Sequence, residues 1–361
     1  MRNVYLIRHG EPEFPGGRRM CLGLTDLPLS TLGALQAALA GLSLPRAEAV
    51  FCSFLARSRQ SAAFIDAPVR VLPGLEELSP GEWDGLTFEE IRLRWGELYA
   101  RRGEDPSVQP PGAEAPAAGL RRFVSAMDSA LSAVPGDIAV VSHSSVMQLY
   151  ICRALGRDMS EARSIRLPYG SVTRLVFDGG DMPAAAETGE TPLPFPDERV
   201  CRALLRAADT PESTADHCAA VAKEAMRIVC ALAARGVCLD ADDIFAAAYL
   251  HDIARAQDDH AARGAELIRA LGYERAADMI AQHHDLRDSS AIDGAAVVYI
   301  ADKTVKGTEK VSLAARFGAS RAKCASPEAL AANARRFGAA RAVGGNINTI
   351  CARPVVSLSD D

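Results

Sequence analysis

The sequence predicts two domains: an α/β domain with a mostly parallel sheet flanked by helices, followed by an all-α helical bundle. Three observations carry this. Up to about residue 178, short apolar runs alternate with helical patterns, which is the signature of successive βα units. Residues 179–198, GGDMPAAAETGETPLPFPDE, are rich in Gly, Pro, Ala and Thr and have neither helical nor strand period. Beyond them comes helix after helix, rich in Ala, Leu and Arg, with residues 295–300 the main β-branched run. The expected boundaries are therefore 1–178, a linker over 179–198, and 199–361, the last divided into a core at 205–310 and further helices at 311–361.

A chain of 361 residues is comfortable for two domains, and an apolar fraction of 48% lets each bury a core. The net charge of −6, with no long Lys/Arg run, argues against a nucleic-acid partner. Nine cysteines, odd in number and without a C-x-x-C pair, suit neither a disulfide framework nor a thiolate zinc site. Met1 leads straight into a strand, and no apolar run approaches the ~18 residues of a membrane span. The expectation is a soluble, cytoplasmic protein without a membrane partner; an oligomer stays open.

The strands are expected at residues 4–7, 49–53, 69–72, 138–142 and 171–177. The first, Val4-Tyr5-Leu6-Ile7, is apolar on both faces and runs into Arg8-His9-Gly10-Glu11. The C-terminal edge of a parallel sheet is where open α/β folds place ligands. RHGEPEFPGGRRMCLGLTDLPLSTLGALQA resembles the opening of the histidine phosphatase (phosphoglycerate mutase-like) superfamily, and matching segments follow in order. VFCSFLARSRQSA carries Arg57, GLEELSPGEWDGLTFEEI carries Glu77, PPGAEAPAAGLRRF carries Glu114, and VVSHSSVMQLY carries His143. The C-x-G-x-T-D spacing after a Pro/Gly-rich turn is similar to the α-ribazole phosphatase subgroup. Pro12 and Pro15 stand where many relatives have R-H-G-x-T-x-x-N, and Ser144-Ser145 replaces a glycine pair.

The resemblance implies a phosphohistidine mechanism, and the chemistry asks for the same residue types. A neutral His9 attacks phosphorus, Arg8 and Arg57 fit phosphate oxygens with planar forks, and a protonated His143 adds donors. Glu77 is expected to supply the leaving-group proton, its pKa raised by burial. No cofactor is needed in this domain. The lack of long covering loops favours a phosphatase over a phosphoglycerate-type mutase, which is the alternative. Leaving-group specificity is expected in the helical excursion over 89–122.

In the second half, TADHCAAVAKEAMRI carries His217, AAAYLHDIARAQDDHAARGAELI carries His251, Asp252 and His260, DMIAQHHDL carries His283 and His284, and VVYIADKTVKG carries Asp302. This order resembles the HD-domain metal-dependent phosphohydrolase superfamily. Five of the seven histidines fall between 217 and 284. Imidazole and carboxylate donors without thiolate suit Fe, Mn, Zn, Co or Mg. The resemblance implies one or two such divalent ions on His217, His251, Asp252 and Asp302, with His260 and His283 as the ligands that binuclear relatives add; His283 is preferred to His284. Lys303, Lys306 and Lys310 follow at helical spacing and are candidates to meet substrate phosphates. Together the halves imply a bifunctional phosphohydrolase acting on small phosphorylated compounds, nucleotides among them. The alternative is an active phosphatase with a metal- or nucleotide-binding regulatory module.

Overall fold

All five apolar runs of the first half are strands in a computed structural model of the chain, which describes residues 1–105, 108–179, 183 and 185–359. They are β1 (Arg2–Arg8), β2 (Ala49–Cys52), β3 (Val69–Val71), β4 (Ile138–Ser142) and β5 (Val172–Phe177). The helices between them are α1 (Thr31–Ser43), α2 (Ala56–Ala62), α3 (Phe88–Glu104), α4 (Pro116–Ala133) and α5 (Ser144–Ala154). With a further strand, β6 (Ala185–Glu190), they form a sheet ordered β3-β2-β4-β1-β5-β6. The first four strands run parallel, whereas β5 and β6 are antiparallel to their neighbours.

Side-chain alternation explains the layers. Val4, Leu6, Phe51 and Val140 pack on one face with Phe123, Met127 and Val146 from α4 and α5. Tyr5, Ile7, Val50 and Val141 pack on the other with Ala40 and Ala62 from α1 and α2. Both faces being covered, the inner strands read as continuous apolar runs. Gly10 is required by close approach: a Cβ there would lie 2.0 Å from the carbonyl oxygen of Gly33 in α1.

β6 corrects the expectation of a structureless 179–198. Its sequence, AAETGE, lacks apolar alternation because it is a sheet edge held by pairing to β5, and a polar edge discourages further strand addition. The chain divides into two compact units, Met1–Pro194 and Phe195–Asp361.

The second unit contains α6 (Glu198–Ala207), α7 (Glu212–Ala233), α8 (Ala241–Leu250), α9 (His260–Ala270), α10 (Glu274–Ile280), α11 (Gly294–Lys303), α12 (Leu313–Arg321) and α13 (Pro327–Cys351). The β-branched run over 295–300 is helical within α11. Asp293 caps it by accepting from the Ala296 N–H at 2.9 Å, and every residue from Ala295 to Lys303 is buried. Burial on all sides outweighs the weak strand preference of Val and Ile. A hairpin of β7 (Val305–Lys306) and β8 (Glu309–Lys310) follows, so the helical spacing expected for Lys306 and Lys310 is not realised. Among the described residues no helix is long and apolar enough to cross a membrane.

Candidate active site and metal centre

The parallel register of β1 and β4 pairs Arg8 with Ser142, so the next residues, His9 and His143, leave the sheet side by side. Their ring centroids are 4.9 Å apart, and both are buried. The His9 Nδ1–H donates to the Gly10 carbonyl at 2.7 Å, which leaves the lone pair on Nε2. Burial, then the positive charges of Arg57 and Arg8, hold His9 well below the ordinary imidazole range. The ring is therefore a neutral base with a free nitrogen, as the expected nucleophile must be.

A cavity of about 330 Å³ opens here, lined by Arg8, His9, Arg57, Glu77, Ser145 and Tyr169 among others. The Arg8 guanidinium lies 3.9 Å from the Tyr169 ring centroid and donates to the Leu167 carbonyl at 2.6 Å, while its buried Nε has no partner among the described residues. Arg57 is 1% exposed and donates to Thr25 and Gly23 carbonyls at 2.9 and 2.8 Å; its Nε is likewise unpartnered. Two guanidinium groups, each with a buried and unsatisfied Nε–H donor, are what a phosphate dianion needs. Arg57→Lys is expected to lower kcat/KM for phosphomonoesters by about 10²-fold, because a point charge replaces a fork. Steady-state kinetics alongside a melting curve checks this. An unchanged rate would mean that Arg57 serves only to tie down the turn over 23–25.

Two expected protonation states meet a different environment. Burial, then His9, Arg57 and Arg8, push His143 well below the ordinary imidazole range, so it is neutral rather than the expected imidazolium. Its Nε2 pairs with Ser53 Oγ at 2.7 Å, and its buried Nδ1 is without a partner among the described residues. The negative charge of a phosphoryl group acts in the opposite direction. Both oxygens of the buried Glu77 accept backbone N–H bonds, from Leu78, Ser145 and Val146 at 2.9–3.0 Å, so it caps α5. Three of its four lone-pair positions are taken, two on Oε1 and one on Oε2, so a proton to be donated would sit on the remaining position of Oε2. Sequence reasoning missed Ser53 and Tyr169. Ser53 directly follows β2, whose Cys52 is paired with Val141 in β4, and that register brings it beside His143.

In the second unit, His217, His251, Asp252, His260, His283 and Asp302 converge, and His284 joins them. The Nδ1–H groups of His217, His251 and His283 donate to the carbonyls of Gly307, Ala248 and Ile280 at 2.8–2.9 Å. Each bond places the lone pair on Nε2, the orientation in which histidine binds metals. His217, His251 and Asp252 form one group, and His260, His283 and His284 form another; within each, one donor atom from every residue lies within 4.8 Å of the others. Asp252 lies between them: Oδ2 is 3.7 Å from His251 Nε2, while Oδ1 is 3.3 Å from His260 Nε2 and 3.7 Å from His283 Nε2. Asp302 Oδ1 faces His217 Nε2 at 3.2 Å and His251 Nε2 at 3.7 Å.

A test of metal fit is whether buried donors lack partners. His251 Nε2, His283 Nε2 and Asp252 Oδ1 are buried and have no hydrogen-bond partner among the described residues. Burial, His251 and His284 push His283 well down, and burial and Lys303 push His284 down to about 3. Asp302 is held well below the usual carboxylate range: burial opposes ionisation, but Lys303 and His217 outweigh it. His217 shifts upward because Asp302 overcomes its burial. Imidazoles at 283 and 284 held neutral by burial, the ionised Asp302 and buried donors without hydrogen-bond partners suit a cation, and the residues fit one. Lys303, proposed from sequence for substrate phosphates, instead donates to Asp302 Oδ2 at 2.6 Å and to the His283 carbonyl at 3.1 Å. Lys310 pairs with Glu224 at 3.0 Å. Arg336 in α13 forks onto Asp285, the residue after His284, at 2.8 and 2.5 Å, and its carbonyl accepts from Tyr299 Oη at 2.7 Å.

The family model of the histidine phosphatase superfamily (branch 1) matches residues 4–187, and that of the HD domain matches residues 214–306. Adenosylcobalamin/alpha-ribazole phosphatase of Salmonella typhimurium is 28% identical over 177 residues, covering 46% of this chain and 86% of that protein. The 2,3-bisphosphoglycerate-dependent phosphoglycerate mutase of Methylobacterium radiotolerans is 32% identical over 127 residues, 31% of this chain and 58% of that protein. Bifunctional protein Rv2228c of Mycobacterium tuberculosis is 33% identical over 182 residues, 48% of this chain and 50% of that protein. The matched part thus spans about half of the length of the latter two. Among solved structures, Bacillus stearothermophilus YhfR aligns with a TM-score of 0.48 and 26% identity over 52% of this chain and 96% of that chain.

Proposed function

The chain belongs to the histidine phosphatase superfamily (branch 1) and carries an HD domain after it, and from that premise we propose that it is a bifunctional phosphoester hydrolase. In the first unit, His9 Nε2 attacks the phosphorus of a phosphomonoester, the P–O bond to the leaving group breaks, and a proton is delivered to the departing oxygen. Water then displaces the phosphoryl group from His9, releasing inorganic phosphate. Arg8 and Arg57 hold the phosphoryl oxygens through the transfer, and Glu77 and His143 are the candidate proton donor and charge stabiliser. The observation that carries this reading is the unprotonated Nε2 of His9 beside two guanidinium groups whose buried Nε–H donors are unpartnered among the described residues.

In the second unit, His217, His251, Asp252 and Asp302 would hold one divalent ion, and Asp252, His260 and His283 a second, with His284 at the same position. Fe, Mn, Zn, Co and Mg all accept such nitrogen and oxygen donors. A bound ion supplies a Lewis-acidic centre that lowers the pKa of its water towards neutrality. The chain's own part is to keep each imidazole in one tautomer through a carbonyl, and to keep Asp302 Oδ2 engaged on Lys303 so that Oδ1 faces the histidines. Arg255 and Arg316, 3.6 Å from Asp252 and 3.9 Å from Asp302, add positive charge suited to an anionic, nucleotide-like phosphoester or phosphoanhydride. Hydrolysis of a phosphodiester or a nucleotide phosphoanhydride there would leave a phosphomonoester, the substrate class of the first unit.

The test is a substrate screen of the full chain with Mn²⁺ or with EDTA. Two activities are expected: hydrolysis of aryl phosphates that survives EDTA, and hydrolysis of nucleotide phosphoesters that EDTA removes and Mn²⁺ restores. Chelation that abolished both equally would contradict a metal-independent first site. The absence of any chelator-sensitive turnover would favour the regulatory-module reading of the second unit.

A further inference from the structure

Beside the phosphate cavity lies a larger chamber of about 620 Å³. Cys21, Leu22, Glu77 and Ser145 line both, so the two spaces adjoin. At ~30 Å³ per water the chamber has room for about twenty waters, far more than the leaving group of a three-carbon phosphoester fills. Leu78, Pro80, Leu149 and Met159 give it apolar walls, while Arg102 of α3 and Arg163 line it without reaching the phosphate cavity.

These two arginines are unusual in their partners. Arg102 donates to the Val108 carbonyl and to Gln109 Oε1, and Arg163 donates to the Arg102 carbonyl at 2.9 Å. Those bonds end on neutral oxygens, and among the described residues neither guanidinium forms an ion pair. The acidic residues of the lining are engaged: Glu114 with Arg122, Asp158 with Ser160, Glu77 with backbone N–H groups, and Asp105 also has a partner. Burial, then the charge of Arg163, lowers Arg102, which places the two cations within each other's field. A pair of like charges in a partly apolar chamber is stabilised by an anion.

We infer that this chamber receives the leaving group, and that Arg102 and Arg163 recognise a second anionic group on it, so that preferred substrates are phosphomonoesters with a carboxylate or further phosphate set apart from the reacting phosphate. The inference rests on the phosphatase reading of the His9 site and adds a substrate class to it.

The experiment compares matched substrates on the full chain in EDTA: phenyl phosphate against 4-carboxyphenyl phosphate, and adenosine 5′-monophosphate against adenosine 3′,5′-bisphosphate. The anion-bearing member of at least one pair is expected to have a kcat/KM about tenfold to a hundredfold higher, the range of a charge-assisted hydrogen bond. In Arg102→Ala and Arg163→Gln that ratio should fall towards one, mainly through KM, whereas Arg102→Lys, which keeps the charge, should retain part of it. No preference in the parent chain, or a ratio that survives both neutral substitutions, overturns the inference while leaving the phosphatase reading intact. Turnover of these substrates that does not depend on His9 overturns the phosphatase reading itself.

Discussion

His9→Ala is expected to lower EDTA-resistant phosphomonoesterase turnover by at least about 10³-fold, because the group that accepts the phosphoryl is gone while the arginines that bind it remain. KM should change far less than kcat for the same reason. The low protonation constant of His9 gives the prediction a second readout. Its folded pKa lies well below that of a free imidazole, so acidification from neutrality should not protonate the nucleophile where a free histidine would lose its lone pair. A phosphohistidine trapped by rapid quenching in base, present in the parent and lost in the variant, completes the test. Activity within tenfold of the parent would remove the covalent mechanism from consideration.

The second large effect is expected at Asp252, whose two oxygens face different histidine groups. One substitution therefore takes a donor from both groups at once, and Asp252→Ala should leave the dialysed chain almost free of metal by elemental analysis. All EDTA-sensitive hydrolysis should disappear with it. EDTA-resistant turnover should persist, because the His9 site is built within a separate compact unit. Asp252→Asn, which keeps the shape but not the charge, guards against a trivial folding failure. Full metal content in both variants would show that the cluster does not hold the ion.

The sequence made legible whatever depends on local pattern. Apolar runs located β1 to β5, and the residues after β1 and β4 marked His9 and His143. Tertiary pairing was not legible in the same way. β6 is polar, and its stability comes from a neighbour rather than from its own side chains. The run over 295–300 has the composition of a strand and is a helix because the bundle surrounds it. Glu77 looked like an isolated acid because the α5 N–H groups that bond it lie 68 and 69 residues away in sequence. His284 was set aside in favour of its neighbour, since no spacing rule reveals that both rings of a His-His pair turn towards His260, as their 5.4 and 4.7 Å centroid distances show.

The fork from Arg336 to Asp285 bears on where this protein can be cut. The HD match ends at residue 306, and a fragment trimmed to that limit would keep every proposed metal donor. It would nevertheless lose α13, and with it the clamp on the turn that follows His283 and His284 and the carbonyl that receives Tyr299 Oη. The family match and the contacts that brace the metal donors therefore end 45 residues apart, at residue 306 and at the end of α13 at Cys351. Anyone transplanting the metal centre, or shortening the protein for expression, should carry the chain through that helix.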